Sequence, residues 1–320
     1  MKKFLVCGLV ALLCVFSLAG CGRQSGGEQA AGKIKVVATA FPLYDWTRNI
    51  LGEDARNVEL VLLGGGVDMH SYQPTPQDIM KIGSADLLIY VGGESDEWVE
   101  EALKEAGNKK LVALNLMDIL GDRAKHEEQV EGMTAEHEHR AAEPEKDEHI
   151  WLSLKNAQLL CQAIADSLSK VDAAHAETYG KNVKSYNEKL AALDDKYQQA
   201  VAGAKQKTLL FGDRFPFRYL VDDYGLKYYA AFPGCSAETE ASFGTVAFLS
   251  GKMAELKLPA VMTIEGRTHN LAETIVENSH TGARLLVMDS LQSVPEKDVA
   301  GRSYLSTMEK NLEVLQEALQ

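Results

Sequence analysis

The sequence has 320 residues, of which 46 % are hydrophobic, and a formal net charge of −13 at pH 7. A chain of this length has room for two domains or for one large α/β domain. The acidic total argues against nucleic acid as a partner and favours cationic ligands.

The first twenty residues predict a secretory signal. Lys2 and Lys3 precede an uncharged apolar segment that is too short to span a bilayer, which takes about 20 apolar residues. The tetrapeptide "LAGC" is typical of a bacterial lipobox, so we expect Cys21 to carry lipid after cleavage. The alternative is an ordinary signal with an incidental cysteine. Residues 21–33, rich in Gly, Ser and Gln, predict a flexible tether.

Two cysteines remain once Cys7, Cys14 and Cys21 are assigned to the signal and the lipid. Cys161 and Cys235 are far apart in the sequence and lack the close spacing of a zinc knuckle. We expect two free structural thiols, with a disulfide between them as the alternative.

Short apolar runs alternate with helical patterns from residue 34 onward. The runs "IKVVATA", "VELVLL", "DLLIYVG" and "KLVALNL" predict buried strands. The segment after each of the first three runs predicts a helix. Such alternation is typical of a parallel sheet with ligands at the carboxyl ends of its strands. We therefore predict an α/β lobe over residues 34–170.

Residues 122–148 interrupt this pattern with ten acidic against four basic side chains and few apolar ones. Such a composition predicts a mobile loop. Further along the chain, residues 171–205 carry apolar positions at helical spacing and predict one long helix. Strand patterns then resume in "KTLLFG", "LKYYAAF", "AVMTIE" and "RLLVMDS", which predict a second α/β lobe over residues 206–320. The predicted fold is two parallel-sheet lobes joined by a rigid helix, with one cleft between them.

Four polar side chains lie where such sheets bind ligands. His70 follows the strand "VELVLL", His149 begins an apolar helix, and Asp213 and Asp289 follow strands of the second lobe. Two imidazoles and two carboxylates suit zinc and tolerate manganese. The alternative is a surface histidine at position 70 and a helix-start histidine packed on Trp151.

Five segments occur in an order that resembles a known family. They are "FPLYDWTRNILG", "VDMHSYQPTPQDIMKIGSADLLIYVG", "EHIWLSLKNA", "YLVDDYGL" and "VMDSLQS". Together they are similar to signatures of the solute-binding lipoproteins of zinc and manganese ABC importers, the cluster A-I family. In that pattern His70 and His149 match two histidine ligands of the first lobe, and Asp289 matches an aspartate of the last lobe.

The resemblance implies a function as well as a fold. It implies a metal held in the inter-lobe cleft, no enzymatic activity, and delivery of the metal to an ABC permease and its ATPase. It also implies a monomer outside the cytoplasm, anchored to the cell membrane through lipid on Cys21.

The third ligand departs from the family pattern, because the position expected to hold His or Glu is Arg214. A guanidinium has no free lone pair, so Arg214 cannot bind a metal. Asp213 is the expected replacement if the loop is shifted by one residue. Other second-lobe candidates are Glu265, His269 and Glu240.

The metal itself is expected to be Zn²⁺, because zinc-handling relatives often carry a His- and acid-rich insertion like residues 122–148. His126, His137 and His139 would then bind cations loosely, although a solvated linker with incidental histidines is the alternative. Two second-lobe carboxylates would instead favour Mn²⁺.

A surface adhesin is a further alternative function, and a zinc hydrolase is disfavoured because the sequence has no H-E-x-x-H motif.

Overall fold

Two parallel four-stranded sheets organise the part of the chain that the structure, a computed structural model, describes: residues 33–52, 55–133, 145–236, 240–266 and 268–320. The predicted signal and Cys21 lie outside these residues, as do His137 and His139. Ile34 to Gln320 form one compact unit. No helix among the described residues is long and apolar enough to cross a membrane.

The first lobe contains a sheet with the strand order β2-β1-β3-β4. All of its pairs are parallel, and Val36 in the central strand lies opposite Leu60 on one side and Leu87 on the other. Helical crossovers cover the sheet, which explains its apolar sequence. The four strands are β1 (Ile34–Ala38), β2 (Val58–Leu62), β3 (Leu87–Tyr90) and β4 (Val112–Asn115).

The second lobe repeats this arrangement with the order β6-β5-β7-β8. Its strands are β5 (Thr208–Phe215), β6 (Lys227–Pro233), β7 (Ala260–Ile264) and β8 (Arg284–Met288). The pairing of β5 with β6 shifts between Phe211 and Arg214. Such an irregularity changes the direction of the side chains beside it. Asp213 therefore lies inside the irregular end of a strand and not in the loop after it, where the sequence places it.

Eleven α-helices connect the strands within the described residues. They are α1 (Phe41–Leu51), α2 (Pro76–Gly83), α3 (Trp98–Ala106), α4 (Leu116–Leu120), α5 (Leu154–Val171), α6 (Ala176–Ala202), α7 (Arg218–Tyr224), α8 (Phe243–Leu256), α9 (Asn270–Ser279), α10 (Glu296–Val299) and α11 (Tyr304–Ala318). Single-turn 3₁₀ helices occupy Met69–Ser71, Glu94–Asp96, Gly121–Arg123, Ile150–Leu152 and Ala173–His175.

The long helix α6 has 27 residues, which corresponds to a length of about 40 Å. Its apolar positions at helical spacing are all buried: Tyr179, Val183, Tyr186, Leu190, Leu193, Tyr197 and Val201. The Tyr197 hydroxyl donates to the Met308 carbonyl in α11 at 2.7 Å. One hydrophobic core includes Leu87 of the first sheet, Tyr197 of α6 and Met262 of the second sheet. The predicted fold class is thereby confirmed, while the predicted domain boundaries stay a prediction.

The acidic loop is shorter than the sequence predicts at its carboxyl end. Asp147 and Glu148 are each only 2 % exposed, although their charges place them in the predicted mobile segment. The Asp147 amide donates to the Lys125 carbonyl at 2.8 Å, and a bridge pairs His126 with Lys146. Burial of the two carboxylates is possible because both have hydrogen-bond partners at the site described next.

Candidate metal site

His70 lies in the 3₁₀ helix Met69–Ser71, which follows β2. The Asp68 carboxylate caps this turn by accepting from the His70 amide at 3.1 Å. On the ring, Nδ1 lies 2.8 Å from the Ser95 hydroxyl and 3.3 Å from the Glu148 carboxylate. These partners occupy Nδ1, so Nε2 is the nitrogen that remains to bind a metal.

His149 precedes the 3₁₀ helix Ile150–Leu152, and its ring is completely buried. Asp147 Oδ1 accepts from the His149 amide at 2.9 Å and lies 3.0 Å from Nδ1. The ring packs edge-on against Trp151, with 5.4 Å between centroids. Asp147 thus fixes both the ring orientation and the proton on Nδ1, again leaving Nε2 with its lone pair.

The two Nε2 atoms of His70 and His149 face each other at 3.1 Å. Two nitrogens bound to one tetrahedral zinc at ordinary bond lengths are about 3.3 Å apart. The two histidines predicted from the sequence therefore converge with the spacing that a shared metal ion requires.

Cys235 joins these histidines from the second lobe, directly after β6. One donor atom each from His70, His149 and Cys235 can be chosen so that all three lie within 4.8 Å of one another. The Cys235 amide donates to Glu127 at 2.8 Å, which holds this loop against the first lobe. Cys161 and Cys235 are both free, as predicted, and Cys161 is fully buried elsewhere.

The close approach of the Cys235 loop depends on Gly234. A Cβ atom at this position would lie 2.9 Å from the Phe215 carbonyl and 3.1 Å from the His149 ring. Glycine therefore allows the loop backbone to touch the ring of His149. The sequence offers little signal for a role of Cys235 at this site, since a single cysteine with no neighbouring Cys or His matches no metal motif; only its position after a strand could have indicated it.

Gln292, another residue of the second lobe, contacts the same nitrogen. Its Oε1 lies 3.0 Å from His149 Nε2, and its side chain is buried. A neutral amide oxygen therefore borders the space between the histidines.

Burial and the neighbouring polar groups shift the pKa values of His149 and Glu148 in opposite directions. Burial alone would lower the pKa of His149, but Asp147 raises it above its ordinary value through its charge and its hydrogen bond. Burial alone would raise the pKa of Glu148, but hydrogen bonds from His70 and Ser95 lower it. Burial raises the pKa of the Cys235 thiol well above its usual range, so this thiol is protonated when no metal is bound.

Asp213 and His269, both candidate ligands from the sequence, meet at Thr263 in the second lobe. Asp213 Oδ2 accepts from the Thr263 hydroxyl at 2.5 Å and from the Ile264 amide at 3.2 Å. His269 Nδ1 lies 3.2 Å from the same hydroxyl. The structure thus places these side chains in a hydrogen-bond network of their own and not with the two histidines.

The other second-lobe candidates also have different surroundings. Asp289 forms an ion pair with Arg302, and its Oδ1 accepts from the Leu291 amide at 2.9 Å. The Glu265 carboxylate accepts from the Ser290 amide and hydroxyl, each at 2.6 Å. Two further candidates, Glu240 and His126, are exposed, and the loop histidines 137 and 139 lie outside the described residues.

Arg214, which stands where the family pattern has a ligand, joins the two lobes. Its Nη2 donates to Asp68 at 2.7 Å, and its Nη1 donates to the Ser236 carbonyl at 3.3 Å. Burial alone would raise the pKa of Asp68, but the charges of Arg214 and His70 lower it below its usual value. Arg214 therefore pairs with the residue two positions before His70 and spans the cleft beside the histidines.

Comparisons with known proteins identify the family of this chain. The family model described as "Zinc-uptake complex component A periplasmic" (ZnuA) matches residues 36–318. The zinc-binding lipoprotein AdcA of Streptococcus pneumoniae is 35 % identical over 99 % of this chain, which spans 61 % of that protein's length. The high-affinity zinc uptake system protein ZnuA of Bacillus subtilis is 32 % identical over 97 % of this chain and 96 % of its own.

A solved structure supports the same conclusion. The Zn(II)-bound ZnuA-like domain of Streptococcus pneumoniae AdcA is 31 % identical, covers 90 % of this chain and 99 % of its own, and has a TM-score of 0.71. These matches confirm the resemblance inferred from the five ordered segments. The chain belongs to the ZnuA family of zinc-uptake solute-binding proteins.

Proposed function

We propose that this protein captures Zn²⁺ outside the cytoplasm and delivers it to an ABC permease for uptake. The observation that carries the proposal is the 3.1 Å approach of the Nε2 atoms of His70 and His149. Both nitrogens point into one space while both Nδ1 atoms are held by carboxylates. Without a metal, these two nitrogens require a proton on at least one of them, and Gln292 Oε1 lies 3.0 Å from His149 Nε2 as an acceptor for it.

The surroundings of the two histidines suit zinc in particular. Glu148 and Asp147 are hydrogen-bonded to the imidazoles, an arrangement that orients zinc-bound histidines and raises their basicity. Bound zinc would lie at the two Nε2 atoms, next to the His149 ring that packs against Trp151. The relatives described as zinc-binding and as a zinc uptake protein support the same metal.

The proposed partners, membrane anchor and oligomeric state rest on the same family. The proposed partners are a cognate permease and its ATPase, and the proposed anchor is lipid on Cys21. We propose a monomer that binds and releases its ion without catalysing a reaction. The loop histidines at positions 126, 137 and 139 would supply weak additional binding. Asp213 and Asp289 would reach the metal only if they left their present partners Thr263 and Arg302.

Titration calorimetry with Zn²⁺ tests the proposal on the chain that follows the signal segment. Replacing His70 or His149 by Ala should remove the tight binding event and leave any weak loop binding. His175→Ala is the matched control, because His175 also pairs with a carboxylate, Asp172, but is half exposed on another helix. Tight zinc binding that survives in both site variants would refute the proposal. Competition with Mn²⁺ distinguishes a zinc protein from a manganese protein.

A further inference from the structure

We propose that the thiolate of Cys235 is the third protein ligand of the metal, so that this site is a two-nitrogen, one-sulfur site. The inference rests on the proposed metal capture and goes beyond it, because it names a ligand outside the family's histidine and carboxylate pattern. It also predicts which metals the site prefers.

The distances between the donor atoms support this assignment. Zinc bonds of ordinary length place a ligand sulfur about 3.5 Å from a ligand nitrogen. The Cys235 sulfur and one ring nitrogen of each histidine lie within 4.8 Å of one another, so these atoms need to approach by only about 1 Å around the ion. Rotation of one side chain or a slight closure of the lobes provides a movement of this size.

The loop that carries Cys235 is built to stay beside the histidines. Glu127 accepts from the Cys235 amide, and Gly234 lets the backbone lie against the His149 ring. Arg214 donates to the Ser236 carbonyl, which fixes the residue that follows the cysteine. Contacts from both lobes thus hold the thiol next to His149.

The competing second-lobe carboxylates are less well placed. Asp213 accepts two hydrogen bonds near Thr263, and Asp289 is paired with Arg302. Moving either one to the histidines would leave a donor without its partner, which costs free energy. The Cys235 thiol has a hydrogen-bond partner of its own in Glu127, but its binding to the metal breaks no described ion pair.

Binding through Cys235 has a definite chemical balance. The S–H bond breaks, a metal–sulfur bond forms, and the proton leaves to solvent. With two neutral imidazoles and one thiolate, a divalent ion keeps a net charge of +1. Gln292 Oε1, which is neutral, borders the remaining coordination position. A thiolate is a soft ligand that favours zinc and disfavours manganese, so Cys235 makes the site selective.

Cobalt substitution tests this ligand directly. Co²⁺ bound to the wild-type protein should give a thiolate-to-metal charge-transfer band in the near ultraviolet, because only a metal–sulfur bond produces one. Cys235→Ser and Cys235→Ala should lose the band, whereas Cys161→Ala, which removes a buried thiol elsewhere, should keep it. A wild-type protein that binds Co²⁺ without this band would overturn the proposal, whatever the variants do.

Competition between Zn²⁺ and Mn²⁺ gives the second readout. In Cys235→Ser, zinc affinity should fall by about tenfold or more, and the preference for zinc over manganese should narrow. Circular dichroism verifies that the variants fold. If the His70 and His149 variants lose zinc while Cys235→Ser keeps both its affinity and its selectivity, the ligand assignment is wrong and metal capture stands. If all of them keep zinc, metal capture at this site fails as well.

Discussion

Arg214 of β5 donates to Asp68 of the first lobe at 2.7 Å, so an ion pair spans the cleft two residues from His70. Both side chains are mostly buried. A cation that stands where the family pattern has a metal ligand therefore binds the opposite lobe and not the metal. The pair also holds the turn that presents His70, since Asp68 caps that turn.

Replacing Arg214 by Met should weaken the contact between the two lobes at Asp68. Asp68 would lose a charged hydrogen-bond partner, and unfolding free energy should fall by about 1–3 kcal/mol. Zinc should dissociate faster, because the lobes separate more easily. Chemical denaturation and stopped-flow release of zinc to a chelator measure the two effects. Arg284→Met is the control, because Arg284 pairs with Glu317 at an exposed site and such pairs contribute little. Equal losses for both variants would contradict this role of Arg214.

Glu148→Gln should lower zinc affinity by about 10- to 100-fold, because the carboxylate orients His70 and increases its basicity. The measurement is zinc competition with a chromophoric chelator. Gly93→Ala should act in the same direction, since a Cβ at Gly93 would lie within 2.4 Å of Glu148 Oε1 and its φ is +90°. Glu177→Gln, at an exposed position, serves as the control and should not change affinity. Undiminished affinity in Glu148→Gln would show that His70 needs no carboxylate partner.

Gln292→Glu should shift the metal preference toward manganese. The change places a carboxylate 3.0 Å from His149 Nε2 with almost no change in size. A carboxylate makes the site harder, and hard oxygen ligands suit Mn²⁺ better than an amide does. The ratio of Mn²⁺ to Zn²⁺ affinity, measured by competition, should rise relative to wild type. A ratio that stays the same would indicate that Gln292 does not face the metal.

Asp78 gives a prediction for the pH dependence of stability. It forms the capping box of α2 with Thr75. Burial alone would raise the pKa of Asp78, but hydrogen bonds from Thr75 and Lys81 lower it from 3.8 to about 2. Because the pKa is lower in the folded state, the carboxylate stabilises the protein at pH values above 3.8. That stabilisation is lost as the pH falls from 3.8 toward 2.

Asp78→Asn should therefore reduce the unfolding free energy by about 1 kcal/mol at neutral pH, since a helix cap is weakened. The difference from wild type should shrink below about pH 4 and disappear near the folded pKa. Urea denaturation of both proteins at a series of pH values measures this difference in unfolding free energy. A difference that is constant down to the lowest pH would show that the charge of Asp78 makes no contribution.

Much of the fold is predictable because buried apolar side chains recur in the sequence at the spacing of a helix or a strand. The eight predicted strands all occur, and the apolar positions of α6 from Tyr179 to Val201 are buried at helical spacing. His70 and His149 were also predictable as a pair, since each stands where a predicted strand or helix meets a loop. Periodicity and topology determine where such residues lie.

Hydrogen-bond partners cannot be predicted in this way. Asp289 follows β8 as expected and Asp213 lies within the irregular end of β5, yet Arg302 and Thr263 occupy their carboxylates. Local charge assigns Glu148 to a solvated loop, whereas hydrogen bonds to the site keep it buried. Cys235 has no sequence motif, because its place beside His149 depends on contacts between distant segments.

X-ray absorption at the zinc edge identifies the ligand atoms in the zinc-loaded wild-type protein and needs no variant. We expect two imidazole nitrogens at about 2.0–2.1 Å and one sulfur at about 2.3 Å. A first shell without imidazole scattering would contradict zinc capture by His70 and His149, and a shell with imidazoles but no sulfur would contradict the role of Cys235.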